Sequence, residues 1–227
     1  MSWFFRVAWL VFRKDLTVEV RSREIAYTTL FFAVSCVFAF AFALVREGRA
    51  VEDAAAGILW IAIAFAGTLA LGRTFERERQ SETLRALLLA PAERPAIYVG
   101  KLLGILALLL GAELVLVPLI AVLFQAPLLD HPVWLFGVLM LGTLGFSAVG
   151  TLFAAMLVRT RTRDVLLPVL LYPITIPVII AGVRGTALLL QPAPDLAMVR
   201  FWVSLLVAFD AVFVTLALWT FEPLMTD

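Results

Sequence analysis

Six runs of this sequence are long enough and apolar enough to cross a lipid bilayer, and no water-soluble fold accommodates them. Ile25–Val45 offers 21 residues without a charge and Ala54–Gly72 offers 19, while Leu102–Phe124, Val133–Val158, Leu166–Val183 and Trp202–Phe221 are of similar length. At about 1.5 Å per residue, roughly 20 helical residues cover the hydrocarbon core. With 63% hydrophobic and 15% charged residues, the chain has too little polar surface to cover a soluble globule of its size. The expected fold is an all-α integral membrane protein: one permease domain over 1–227 with six transmembrane helices at about 25–45, 54–72, 102–124, 133–158, 166–183 and 202–221.

The segments between the runs set the orientation. Residues 1–24 mix Trp3, Phe4, Phe5 and Trp9 with five basic residues, and the apolar stretch Val7–Phe12 is too short to span. No small-residue cleavage site follows it, so it is expected to stay on the mature protein as an interfacial helix. Six spans put both termini on one side. With the N-terminus inside, the cytoplasmic segments carry 14 Lys and Arg against 4 outside, so both termini and the 73–101 segment are predicted to be cytoplasmic.

Arg73–Lys101 is the only long charged stretch between spans. Arg73, Glu76, Arg79, Glu82 and Arg85 recur every three residues with alternating sign, so each reaches its neighbours on a helix. Leu84, Leu87 and Leu88 follow at helical spacing, Pro91 closes the helix, and Pro95 suits the first turn of the next. The spacing predicts a charged, amphipathic surface helix, read either as a solvated connector or as a docking surface.

Chemistry-bearing motifs are scarce. Gly100–Lys101 is followed by Leu102 and has no glycine five positions before it, so it is no phosphate-binding loop. Any ATP consumed must be bound by another subunit. A single cysteine, Cys36, inside the first span and a single histidine, His131, in an outer loop cannot build the usual zinc site. Glu113 and Asp210 lie mid-span, where a carboxylate costs about 2.5–3.5 kcal/mol and has to face the bundle interior or pair. Each reads equally as a group on a substrate or proton path and as an interior carboxyl bonded to a neighbouring hydroxyl. Span five carries Pro168, Pro173 and Pro177, which predicts a kinked helix buried in protein. Small residues recur on one face at Gly100, Gly104, Ala107 and Gly111, and again at Gly142, Gly145 and Ala148, and mark close helix packing within the subunit or between copies.

These residues resemble a known family. The run Glu76–Arg77–Glu78–Arg79, then Glu82, Thr83–Leu84, Leu87–Leu89, Pro91 and Tyr98–Gly100–Lys101, is similar to the cytoplasmic coupling segment of type-2 ABC exporter permeases. Together with Arg13–Glu24 and Arg159–Asp164 it looks like the haem exporter permease B subunit of the cytochrome c maturation complex, over essentially the whole chain. It departs at Ser81–Glu82, where the family usually has an acidic residue and a glycine. The resemblance implies a permease of the bacterial inner membrane that couples to a cytoplasmic ATPase subunit through Glu76, Arg77, Glu78, Arg79, Glu82, Thr83, Leu84, Leu87 and Pro91. It further implies a second copy of the permease, a haem-handling membrane subunit and a periplasmic haem chaperone as partners, with haem as a handled ligand and ATP on the partner. Nucleic acid is not an expected partner. Other readings are an exporter permease for lipid, polysaccharide or drug, a proton-coupled transporter using Glu113 and Asp210, and a membrane scaffold.

Overall fold

The computed structural model describes residues 3–46, 49–50, 54–80, 93–160 and 162–224. Among them are seven α-helices: α1 (Trp3–Ser22), α2 (Glu24–Ala43), α3 (Ala55–Gln80), α4 (Arg94–Phe124), α5 (Pro132–Met156), α6 (Arg163–Leu189) and α7 (Leu196–Leu224). A two-residue antiparallel ladder, Val45–Arg46 with Arg49–Ala50, lies between α2 and α3. Helices α2 to α7 are each long and apolar enough to cross a membrane. The all-helical, six-span expectation is met.

Helix ends differ from the hydropathy boundaries at the charged stretch. Span two does not stop at Gly72; α3 runs unbroken to Gln80. Its 26 residues extend about 39 Å, past the roughly 30 Å hydrocarbon core. On the return, α4 begins at Arg94 with Pro95 in its first turn, well before the apolar run starts at Leu102. Both helices therefore overhang at the same end, because Glu and Arg are good helix formers and only their charge had marked a boundary. Arg94 Nη1 also donates to the Glu222 carbonyl at 3.3 Å, which places the start of α4 beside the end of α7.

The core is organised around α5. Residues Gly145 to Leu152 are all buried, the mark of a helix surrounded by others, and α5 packs against α3, α4, α6 and α7. The close approach depends on one indole. Trp60 of α3 is fully buried and donates Nε1 to Thr186 Oγ1 of α6 at 3.0 Å. A Cβ placed on Gly142 of α5 or on Gly182 of α6 would run into its ring, so the two glycines form the slot the indole fills. Tyr98 of α4 adds a second buried tie, donating to the Ala148 carbonyl at 3.0 Å.

One expectation is corrected in α6. The helix is continuous from Arg163 to Leu189, but Pro173 and Pro177 are exposed and not buried in the bundle. Leu167, Leu171, Thr175, Val178 and Gly182 form the buried stripe at helical spacing, and the two prolines, four residues apart, fall on another face.

Replacing Gly142 or Gly182 by Ala forces Trp60 to move and is expected to cost about 1–3 kcal/mol. Gly57→Ala, where a Cβ meets nothing within 4 Å, is expected to be neutral or to stabilise by up to about 1 kcal/mol. Thermal unfolding of the purified protein in detergent compares the three; equal midpoints would contradict the slot.

Candidate functional site

The helix α1 is amphipathic and lies along the first turns of α4. Val7, Ala8 and Val11 pack against Ala96 and Ile97, while Trp3, Phe5, Trp9 and Leu10 remain exposed. Exposed aromatics on a helix too short in apolar length to span belong at the headgroup layer. Gly100 permits the contact: a Cβ there would sit 2.6 Å from Val11 Cβ and 2.7 Å from the Ala8 carbonyl oxygen. The chain then turns into α2 through a single residue, Arg23, in the left-handed region at φ 55°. Glu19 steadies the corner by accepting the Ala26 backbone N–H at 2.7 Å, a carboxylate at a helix N-terminus.

Two acids on α1, one turn apart, meet the two helices that flank residues 81–92. Asp15 pairs with Lys101 of α4 at 2.7 Å, and the Lys101 side chain is only 2% exposed. Glu19 pairs with Arg77 of α3 at 3.4 Å. Spacing of four residues puts both carboxylates on one face of α1, so this helix straps the outgoing helix to the returning one. A further ion pair closes the other flank of α3. Arg163, at the start of α6 and nearly buried, reaches Glu76 at 3.4 Å and the Gly72 carbonyl at 3.5 Å, and also pairs with Asp164 at 3.3 Å.

A family model described as CcmB protein matches residues 6–223. The chain belongs to the CcmB family. Relatives include the protein named Heme exporter protein B of Rhodobacter capsulatus, 32% identical over 170 residues, covering 74% of this chain and 77% of the relative. The protein of the same name from Pseudomonas aeruginosa is 30% identical over 176 residues, covering 77% and 78%. That of Escherichia coli K12 is 33% identical over 97 residues, covering 42% and 44%. With its six spans, this family member is a multi-pass protein of the bacterial inner membrane.

The residues carried over from the family divide in two. Glu76 and Arg77 sit on the overhang of α3 and point to different neighbours, α6 and α1. The side chains of Glu78 and Arg79, and the whole of Glu82, Thr83, Leu84, Leu87 and Pro91, lie outside the described residues. The structure adds Asp15, Glu19, Lys101 and Arg163. A sequence signal existed for the first three: two acids one turn apart in an otherwise basic helix, and a lysine at the mouth of a span.

The mid-span carboxylates have different surroundings. Glu113 is buried and accepts a hydrogen bond from the Thr143 hydroxyl of α5, the arrangement of an interior carboxyl held by a neighbouring hydroxyl. Asp210 of α7 is 6% exposed, lies against Gly145 of α5, and has no hydrogen-bond partner for either oxygen among the described residues. Positions 143 and 145 are about 200° apart around α5, so the two carboxylates occupy different sides of the central helix. Among the described residues no three His, Cys, Asp or Glu side chains cluster to hold a metal.

The two straps differ in burial, and a pair of double-mutant cycles separates them. Coupling between Asp15→Asn and Lys101→Met is expected at about 1–3 kcal/mol, and between Glu19→Gln and Arg77→Met below about 1 kcal/mol because Arg77 is about one third exposed. Unfolding in detergent measures both; the reverse order would overturn the assignment of Asp15–Lys101 as the main tie.

Proposed function

We propose that this chain is the permease subunit of a haem exporter acting in cytochrome c maturation, a transporter component and not itself an enzyme. In this reading the N-terminus, α1 and the overhangs of α3 and α4 face the cytoplasm, as the bias of Lys and Arg favours. A separate ATPase subunit docks on residues 73–101 and hydrolyses ATP, and its movement drives haem export or the release of a haem-loaded chaperone. A second copy of the permease, a haem-handling membrane subunit and a periplasmic chaperone complete the assembly. Membership of the CcmB family and the names of the relatives support the haem exporter role.

The observation that carries the coupling role is the strap. A segment that receives force from a partner transmits it only if its two flanks are anchored to something that moves with them. Here both flanks are tied to one helix, α3 through Arg77–Glu19 and α4 through Lys101–Asp15. Because α1 continues into α2 after one residue, displacement of either flank is passed to a third spanning helix. The lack of a phosphate-binding motif in the sequence gives the charged stretch its reason to meet another protein.

Asp210, with both oxygens unpartnered among the described residues, is the observation that favours a proton-coupled transporter instead. The two readings part under mutation. Asp210→Asn and Glu113→Gln are expected to leave ATP-dependent cytochrome c maturation within about twofold of wild type, since neither group lies on the coupling face; abolished activity with normal assembly would favour the proton-coupled reading.

The docking itself is tested by co-purifying the chain with its ATPase. Changing Glu76, Arg79 and Glu82 together to Ala is expected to weaken binding or to uncouple hydrolysis while expression is unchanged. Retained binding with fully coupled hydrolysis would remove the docking assignment.

A further inference from the structure

A cavity of about 630 Å³ opens between the second half of α1, the start of α2 and the inner face of α4, within the range of about 300–1,000 Å³ typical of small-ligand sites. Its two ends differ in chemistry. At the α1 corner the wall carries Lys14, Arg23, Arg77 and Lys101 against Asp15 and Glu19; Asp15 is shared by Lys14 at 2.8 Å and Lys101 at 2.7 Å and Glu19 pairs with Arg77, so the mouth is net positive. Away from the corner the wall is apolar, formed by Ile25, Leu30, Ile105 and Leu108 with the small residues Gly104, Ala107 and Gly111. Along the small-residue face, Gly100 is in close contact with α1, a Cβ on Gly104 would meet Asp15 at 3.6 Å, and one on Gly111 meets nothing within 4 Å.

The depth identifies the occupant. From Lys101 to Ala112, the two ends of the α4 wall, the rise is about 16 Å, half of the roughly 30 Å hydrocarbon core. A groove for a partner's spanning helix would continue through both leaflets, whereas this one stops midway. A haem plane would seek an axial ligand; the described lining contains no His, Cys or Met, and its one phenol, Tyr27, accepts a hydrogen bond from Arg23 at 3.3 Å. Arg23 donates to two neutral groups, the Val20 carbonyl at 3.4 Å and Tyr27 Oη at 3.3 Å, so its charge is not cancelled by a carboxylate among the described residues. Guanidinium next to a headgroup-level tyrosine is suited to a phosphate.

We propose that this cavity seats one anionic phospholipid from the leaflet on the α1 side, with its phosphate at Arg23 and one acyl chain laid along Gly104, Ala107 and Gly111 of α4. The site is built by the interfacial helix and its corner and is independent of whether an ATPase docks on 73–101. Its ligand would sit against the same helix that straps α3 to α4.

Reconstitution of the full chain in vesicles of equal parts phosphatidylglycerol and phosphatidylcholine, followed by extraction in mild detergent and native mass spectrometry, tests this. Wild type is expected to retain about one phosphatidylglycerol per chain, preferred roughly tenfold over phosphatidylcholine, the equivalent of about 1.4 kcal/mol. Gly111→Leu, which fills open space, is expected to cut retention severalfold while the chain stays folded by thermal melt. Arg23→Gln is expected to keep a retained lipid but bring the two headgroups to near parity. Equal retention of the two lipids by wild type, or undiminished retention in folded Gly111→Leu, would overturn the proposal, as would haem or a peptide as the retained species. If Gly111→Leu does not fold, Ala107→Leu and the Arg23→Gln headgroup ratio decide by the same criteria. The lipid readout involves no ATPase, so its failure and a failure of the coupling role are distinguishable.

Discussion

A lysine buried at the end of a membrane helix dictates the arrangement on one side of this protein. Lys101 has almost no exposed surface, and an ammonium at that depth is tolerated only with an acceptor in contact. Asp15 supplies one at 2.7 Å, but it sits on a different helix, so α1 has to lie against α4 for the pair to form. That contact brings Val11 and Ala8 onto position 100, where only glycine leaves room. The electrostatic requirement and the steric one thus fix the same register. Once Asp15 is placed, Glu19 falls one turn further on the same face and reaches both Arg77 and the first turn of α2.

The rest of the bundle is held by different physics. Between α3, α5 and α6 the ties are close packing around Trp60 and a few hydroxyl or phenol hydrogen bonds, with no ion pair in the interior of the spans among the described residues. In lipid the hydrophobic effect gives little between helices, and dispersion across small residues takes its place. Two regimes result. The α3, α5 and α6 side is tightly filled, whereas the α1, α2 and α4 side is joined by charged contacts at its edge and encloses open volume.

Much of this was legible in the sequence, and the parts that were not have identifiable causes. Span number and the interfacial nature of α1 follow from uncharged run length and from aromatics beside basic residues, both properties of single segments. The overhangs of α3 and α4 were missed because hydropathy reports where the membrane ends and not where the helix ends. Prolines in α6 were expected to face protein on the ground that freed carbonyls need partners; Pro173 and Pro177 instead occupy the face opposite to the packing stripe. The Glu113–Thr143 bond was one of two readings left open, since a sequence does not say which hydroxyl a carboxylate meets. Asp15 and Glu19 stand out as two acids one turn apart, but their partners, and those of Arg163 on the other flank, exist only once α1, α3, α4 and α6 are brought together at one end.

The position of the strap also bears on how a subunit with no phosphate-binding motif can be driven. In the proposed coupling, a partner pressing on residues 73–101 would move the ends of two overhanging helices. α3 and α4 also pack directly on each other, with Gly67 of α3 close to Leu109 of α4. The ties through Asp15 and Glu19 join the two overhangs to α1, and the left-handed residue at position 23 forms the corner with α2. On the opposite flank Arg163 ties Glu76 and the Gly72 carbonyl to the start of α6, so the same tip movement is resisted there by a nearly buried guanidinium. In the proposed coupling, force applied at this end would therefore reach both α1 and the start of α6.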